Sequence, residues 1–401
     1  MECIFGIDVS KATANVAVLV DETFIKEFKI TSDVPGYQTL EDELSSFTEP
    51  QIIFEATGIY SRSLRAYLQR SNWQYTEINP LRSKIDMAGF RHDKTDALDA
   101  RGLALAMKKH HYKPTCQQAP VYSELHDLER TYQDYNEDVV RTKNRLHKAL
   151  QLTFPELEHV LSKQDGGLYW HLVQRFAHPD FVLEYGVSDL ADQILDATPK
   201  NMGVQRALKI ADKLLSLAER CAASVSSNAH AVRAVVYLAQ EVERLDGLKN
   251  EIIDEMTQLS QDLDEVKYLL SFPGIGIKTV MCLIGELGDI SRFHSANAIN
   301  RYIGIDLIRY ESGNHVMKSG ISKRGNAYAR KILYRAIMNI VSAARYNPSN
   351  VSDYYQNKKR SSSTKRTKMI TIGAMSRLIR TLYHLVINNE YFDPKTSLAG
   401  Q

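Results

Sequence analysis

The chain lacks any apolar run long enough to cross a bilayer, and this excludes a helical membrane protein. No signal-peptide pattern precedes its first hydrophobic segment, so a cytoplasmic protein is expected. Cysteine is scarce. Cys3, Cys116, Cys221 and Cys282 are scattered without metal-ligand spacing, and they read as reduced thiols rather than a disulfide framework or a zinc site. His92, His110, His111 and His230 show no ligand pattern either. A metal, if the chain uses one, must therefore be held by oxygen donors.

What is present is ordinary in bulk and uneven in distribution. With 401 residues, 44% hydrophobic and 24% charged, the composition is that of a globular protein of two or three domains. The net charge of +2 hides an asymmetry: from Lys318 to Arg380 there are fifteen Lys or Arg and one acid, Asp353, a balance of +14 that leaves −12 on the remainder. A basic region of this length on an acidic protein points to a polyanion, and nucleic acid is the expected partner.

Residues 1–113 read as an α/β domain. Candidate strands at 3–9, 14–20 and 24–30 precede a helix near 36–47, a strand at 51–55, a helix at 60–70 and a strand at 73–78. Helices at 80–88 and 93–109 complete it. This is the element order of an RNase H-like domain. Four carboxylates stand at telling places in it. Asp8 follows Ile4-Phe5-Gly6-Ile7, and Glu55 ends Ile52-Ile53-Phe54. Asp96 and Asp99 are spaced i,i+3 and share a helix face. Singly each could be a turn, cap or solvated residue. Jointly they suit Mg²⁺ or Mn²⁺, which take hard oxygen donors and bridge to phosphate, as in a phosphodiester-cutting enzyme.

Residues 121–155 and 228–262 carry apolar residues at 3,4 spacing, among them Leu125, Tyr132, Val139 and Leu146 in the first and Val235, Val242, Ile252 and Met256 in the second. They predict two long helices, forming a coiled-coil arm as an internal hairpin or a dimer contact, or else presenting the core stripe of a bundle. The intervening 162–226 is mixed and mostly helical. From 267 a helical domain follows. Its Pro273-Gly274-Ile275-Gly276-Ile277-Lys278 turn has the signature of a helix-hairpin-helix, whose backbone N–H groups, with Gly274, Gly276 and Lys278, can hold a phosphate. Ser312, in Tyr310-Glu311-Ser312-Gly313-Asn314, is first of all a turn residue. It stands among cations suited to phosphate, namely Arg309, Lys318, Lys323 and Arg324, and becomes a nucleophile only if a base or metal activates it. Lys358, Lys359, Arg360, Lys365, Arg366 and Lys368, interleaved with serines, read as a flexible basic segment for phosphate contact; for Tyr354 and Tyr355 packing is favoured over base stacking.

Together these motifs, with Glu55-Ala56-Thr57-Gly58, Asn79-Pro80 and Lys94-Thr95-Asp96-Ala97-Leu98-Asp99-Ala100, resemble the DEDD transposases of bacterial insertion sequences, the bridge-RNA-guided recombinases, to which the Piv-type DNA invertases are related. The resemblance runs nearly end to end. It implies a RuvC-like nuclease domain over 1–113, a coiled-coil or helical arm over 114–266 with an inserted helical segment, and a mostly helical transposase domain over 267–401 with a catalytic serine and a basic tail. Asp8, Glu55, Asp96 and Asp99 fall on the family's metal-binding acids and Ser312 on its serine. The family's chemistry is attack by that serine on DNA to give a phosphoserine link, assisted by carboxylate-bound Mg²⁺ or Mn²⁺ of a partner subunit. A structured guide (bridge) RNA pairs with donor and target DNA, and the protein works as a dimer or tetramer without a membrane. Two departures stand out: 162–226 is longer than compact members require, and Gly304-Ile305-Asp306-Leu307 lacks a proline often found there. Alternatives are a RuvC-like Holliday-junction resolvase or nuclease that uses water, a non-catalytic nucleic-acid scaffold, and an invertase acting on a fixed segment.

Overall fold

The computed structural model describes residues 2–87, 96–164, 166–197, 202–308, 311–312, 315–316, 320–361 and 367–394. The chain divides into two compact units, Met1–Gln117 and Gln118–Gln401.

The first unit opens with three strands, β1 (Cys3–Val9), β2 (Thr13–Val20) and β3 (Thr23–Thr31). After them come α1 (Val34–Leu44), β4 (Gln51–Glu55), α2 (Ser61–Arg70), β5 (Tyr75–Ile78), α3 (Pro80–Met87) and α4 (Asp96–His110). The strands form one sheet of order β3-β2-β1-β4-β5. β2 is antiparallel to β1 and β3, while β4 runs parallel to β1 and β5. The β1 run Cys-Ile-Phe-Gly-Ile is buried on both faces, as a central strand must be. Phe5, Ile7 and Val9 point to one core with Leu40, Leu64 and Leu68, while Ile4 joins Ile53, Leu103 and Met107 on the other side. The order and directions fit an RNase H-like domain.

The second unit is mostly helical. It contains α5 (Pro120–Thr153), α6 (Gly167–Arg175), α7 (Asp180–Leu183), α8 (Val187–Asp196), α9 (Val204–Arg220), α10 (His230–Leu259), α11 (Asp264–Leu270), α12 (Ile277–Leu287) and α13 (Ala296–Ile303). Four two-residue strands follow, β6 (Leu307–Ile308), β7 (Glu311–Ser312), β8 (His315–Val316) and β9 (Gly320–Ile321), then α14 (Ala327–Ala343), α15 (Asn350–Ser361) and α16 (Thr367–Asn388).

The two long helices, α5 and α10, pack antiparallel within the chain. Val139, Leu146 and Leu150 share a core with Val232, Val235 and Val242, covered by residues of α6, α8 and α9. At the other end Leu125 and Tyr132 meet Ile252, Ile253 and Met256 in the core that α11 to α16 complete. Thus α6, α8 and α9 cover one end of the helix pair and share a core with it. The periodicity is satisfied inside one chain, the internal alternative among those expected.

Cys3 and Cys282 are buried, Cys221 is intermediate and Cys116 is exposed; all four are free thiols. Among the described residues no helix is long and apolar enough to cross a membrane.

Candidate active site

Pairing register sets the first two acids side by side. In the parallel ladder Gly6 faces Ile53 and Ile7 faces Phe54, so Asp8 and Glu55 are the next pair. Adjacent strands lie about 4.8 Å apart. Side chains alternate along a strand, so Asp8 shares a face with Ile4 and Gly6, and Glu55 shares one with Ile53. Ile4 and Ile53 pack with Leu103 and Met107 of α4, so both acids sit on the face that α4 covers.

The second pair arrives with that helix. A Cβ built on Gly6 would stand 2.2 Å from the Ala100 carbonyl oxygen and 2.7 Å from the Ala104 nitrogen, so α4 lies directly on the β1 backbone at this point. Met107, near the end of α4, borders a hollow with Gln51 and Tyr75 at the starts of β4 and β5. The helix therefore runs opposite to those strands, with its first turn at their carboxyl ends. From Gly6 to Asp8 the strand advances ~6.6 Å, and from Ala100 back to Asp96 the helix retreats ~6 Å. Asp96 and Asp99, both in the first turn, come to the same end of the sheet as Asp8 and Glu55. Acids in a first turn are also favoured by the helix dipole. Asp8, Glu55 and Asp99 are half-buried and Asp96 is exposed.

Among the described residues no three His, Cys, Asp or Glu side chains are drawn into a closed metal-binding group. The donor set itself, four carboxylates without sulfur or imidazole, fits Mg²⁺ or Mn²⁺ and no softer metal. The residues that could supply such donors are Asp8, Glu55, Asp96 and Asp99.

Ser312 belongs to the second unit. β6 pairs with β9, Leu307 opposite Ile321 and Ile308 opposite Gly320. Within that pair β7 meets β8, Ser312 opposite His315. The serine is thus in the inner ladder of a hairpin between α13 and α14. The base of the hairpin is tied: Ser322 N–H donates to the Asp306 carbonyl (2.9 Å), Lys323 N–H to that of Gly304 (3.0 Å) and Asn326 N–H to that of Tyr302 (2.8 Å). Lys323 and Arg324 are exposed at this base. Arg309 and Lys318, like Lys365 and Arg366, lie outside the described residues.

Other expected contacts are distributed differently. Gly274 backs onto α14, where a Cβ would come 2.7 Å from the Ile340 Cα, whereas a Cβ on Gly276 would meet open space. Lys278 is exposed, with its ammonium 4.9 Å from the centre of the Tyr132 ring. Lys358, Lys359 and Arg360 are not in a flexible segment. They form the exposed last turn of α15, which Val351 and Tyr355 anchor in the core, and Lys368 is exposed in the first turn of α16.

Sequence reading passed over a buried acid pair behind the hairpin. Glu129 of α5 and Glu286 of α12 are both almost fully buried. Burial and the neighbouring Glu286 raise the pKa of Glu129. Gln133 donates to Glu129 (2.7 Å), and Arg130 (3.0 Å) and the Asn326 amide donate to Glu286. Asn326 also caps α14, accepting from the Ala329 N–H at 2.9 Å. No periodic or motif signal marks a charged residue on a long helix as buried.

A 3-2-1-4-5 mixed sheet, with acids at the ends of its first and fourth strands and two more in the first turn of α4, fits one class: an RNase H-like domain, here followed by a helical unit. Sequence comparison carries this further. A profile of IS110-type DEDD transposases matches residues 5–155, and one of transposases of the IS116/IS110/IS902 family matches residues 266–356. The chain belongs to this family of insertion-sequence transposases. It is 31% identical over 80 residues to the transposase for element IS1111A of Coxiella burnetii, covering 20% of this chain and 22% of that protein. It is 21% identical over 305 residues to an uncharacterized 43.6 kDa protein of element IS110 from Streptomyces coelicolor, covering 75% and 73%. It is 30% identical over 154 residues to the pilin gene-inverting protein of Moraxella lacunata, covering 35% and 46%.

Proposed function

We propose that this chain is a DNA transposase or site-specific recombinase that cuts and rejoins strands with a carboxylate-held metal and a serine nucleophile. The observation that supports the reading is the close approach of α4 to Gly6 of β1, two residues before Asp8. Asp8, Glu55, Asp96 and Asp99 would hold Mg²⁺ or Mn²⁺, which would neutralise charge on a phosphodiester. Ser312 Oγ forms a bond to phosphorus as the bond from phosphorus to one sugar oxygen breaks. The serine proton passes to that departing oxygen, leaving a sugar hydroxyl and a phosphoserine. Reversal with a different strand rejoins the DNA.

In this reading a nuclease domain spans 1–113, an arm in which α5 and α10 act as a coiled coil spans 114–266, and a transposase domain spans 267–401. In the last, Gly274, Gly276 and Lys278 form a helix-hairpin-helix, and Lys323, Arg324, Lys358, Lys359, Arg360 and Lys368 track phosphates with Arg309, Lys318, Lys365 and Arg366. A structured guide RNA supplies sequence choice by pairing with donor and target DNA. A dimer or tetramer brings the carboxylates of one subunit to the serine of another. The pilin gene-inverting relatives favour a second reading with the same chemistry, inversion of a fixed segment.

The test is covalent trapping. Purified protein, Mg²⁺, RNA transcribed from the flanking DNA, and labelled donor and target duplexes are incubated and resolved on a denaturing gel. A labelled protein–DNA band is expected, absent with Ser312→Ala and with Asp8→Asn. Cut DNA without an adduct, unaffected by Ser312→Ala, would replace the serine by water and make the chain a hydrolytic nuclease.

A further inference from the structure

A small groove on the surface of the second unit is lined by Tyr354, Asn357, Lys358 and Ser361 of α15 and Arg377 of α16. The four α15 residues follow i, i+3, i+4 and i+7, so one helix face supplies them. Every lining side chain can donate a hydrogen bond and two are cations; among the described residues no carboxylate lines the groove, although Asp353 is adjacent in sequence.

The donors are also uncommitted. Lys358 and Arg377 form no ion pair with a described residue, and the Tyr354 hydroxyl and Asn357 amide form no hydrogen bond with one; Ser361 alone is used locally, donating to the Lys358 carbonyl at 3.3 Å. The half-buried Arg377 guanidinium lies over the Tyr354 ring, 5.0 Å from its centre. The groove has a built floor. A Cβ on Gly373, one turn before Arg377, would stand 2.5 Å from the Tyr354 hydroxyl, so the tyrosine occupies space that only glycine leaves. A glycine inside a helix costs about 1 kcal/mol relative to alanine. Packing alone does not require that cost, since alanine would fill the same gap with the tyrosine turned away.

We propose that this groove seats one phosphodiester of a bound nucleic-acid backbone. Arg377 offers its fork to two phosphate oxygens, Lys358 adds a point charge, and Tyr354 and Asn357 donate to the remaining lone pairs. The inference rests on the reading that the chain handles nucleic acid. It adds residues outside the basic runs, Tyr354, Asn357, Gly373 and Arg377, and distinguishes a shaped site from a diffuse positive surface.

The experiment measures binding rather than cleavage. Full-length protein is titrated into a short labelled DNA duplex and a labelled single-stranded RNA of equal length, by fluorescence anisotropy across a salt series. Arg377→Gln and Lys358→Gln are each expected to weaken binding several-fold and to reduce the slope of log affinity against log salt by about 1. Tyr354→Phe and Gly373→Ala remove no charge. They are expected to weaken binding several-fold with the slope unchanged, and Tyr354→Phe decides the point if Gly373→Ala melts early. A loss on one probe alone assigns the groove to that polymer. Wild-type slopes in both cation variants, or wild-type affinity in Tyr354→Phe, overturn the groove while leaving the parent reading standing. Wild-type protein that binds neither probe overturns both.

Discussion

Asp8 and Glu55 meet because two parallel strands are in register, and a carboxylate pair at such spacing repels itself unless a cation intervenes. That gives a measurement independent of DNA. Mg²⁺ should raise the melting temperature of the wild-type protein in a concentration-dependent way, as any ligand of the folded state does. Asp8→Asn should melt at or slightly above the wild-type temperature without metal and gain nothing from Mg²⁺. An unchanged Mg²⁺ response would remove Asp8 from the metal site. A second residue-level expectation concerns pH. Burial, with Asp289 nearby, pushes Glu265 up to about 7 from an ordinary 4.5, and Glu129 is raised as well. A carboxyl raised in the folded state binds a proton that the unfolded chain has released. Its stabilising contribution is therefore complete below about pH 4.5 and falls as pH rises towards the folded value. The slope is about 1.4 kcal/mol per pH unit for each group. Urea unfolding between pH 5 and 8 should show this decline, and Glu129→Gln should flatten its upper part, above pH 7.

At the scale of elements, β1 and α4 form the critical contact. Gly6→Ala puts a methyl group where the Ala100 carbonyl and the Ala104 amide already lie. Overpacking of this kind costs typically 1–3 kcal/mol, and here the obstacle is backbone, which yields least. Unfolding midpoints in urea should fall accordingly, and strand cleavage should fall further than stability explains, since α4 carries two of the four acids. A Gly6→Ala variant as stable and active as wild type would mean that α4 does not lie on β1. Much of this element order was legible in the sequence. Runs such as Ile52-Ile53-Phe54 mark buried strands, and the i,i+3 spacing of Asp96 and Asp99 marks one helix face. The hairpin around Ser312 was not legible, because its strands are two residues long and give alternation no room to show. Lys358 to Arg360 looked flexible because the local composition is polar. The helix there is set by Val351 and Tyr355, four apart and buried. Periodicity in α5 and α10 could not say whether the partner helix lay in the same chain. The acid pair Glu129–Glu286 was invisible because burial of a charge is a tertiary fact.

For the whole molecule, each unit carries its own cores, and the second unit has two, one of them where α6, α8 and α9 cover α5 and α10. Regions with separate cores open separately in hydrogen exchange. Gly6→Ala should therefore speed amide exchange across β1, β2 and β4 while leaving Val139 to Leu150 and Val232 to Leu245 at wild-type protection. Uniform acceleration in both would show that the units unfold as one.

The distribution of the four thiols gives the molecule a ready-made chemical address. Burial pushes Cys3 up to about 11 and Cys282 up to about 12; burial, with Glu156 beside it, pushes Cys221 up to about 12, so thiolate is scarce at all three near neutrality. Cys116 is exposed, two residues before the boundary between the units. A maleimide dye should attach there once per chain, with no engineering, and mass spectrometry of the native adduct would verify the stoichiometry. The label would then report, from the end of the first unit, whatever rearrangement accompanies the capture of a nucleic acid.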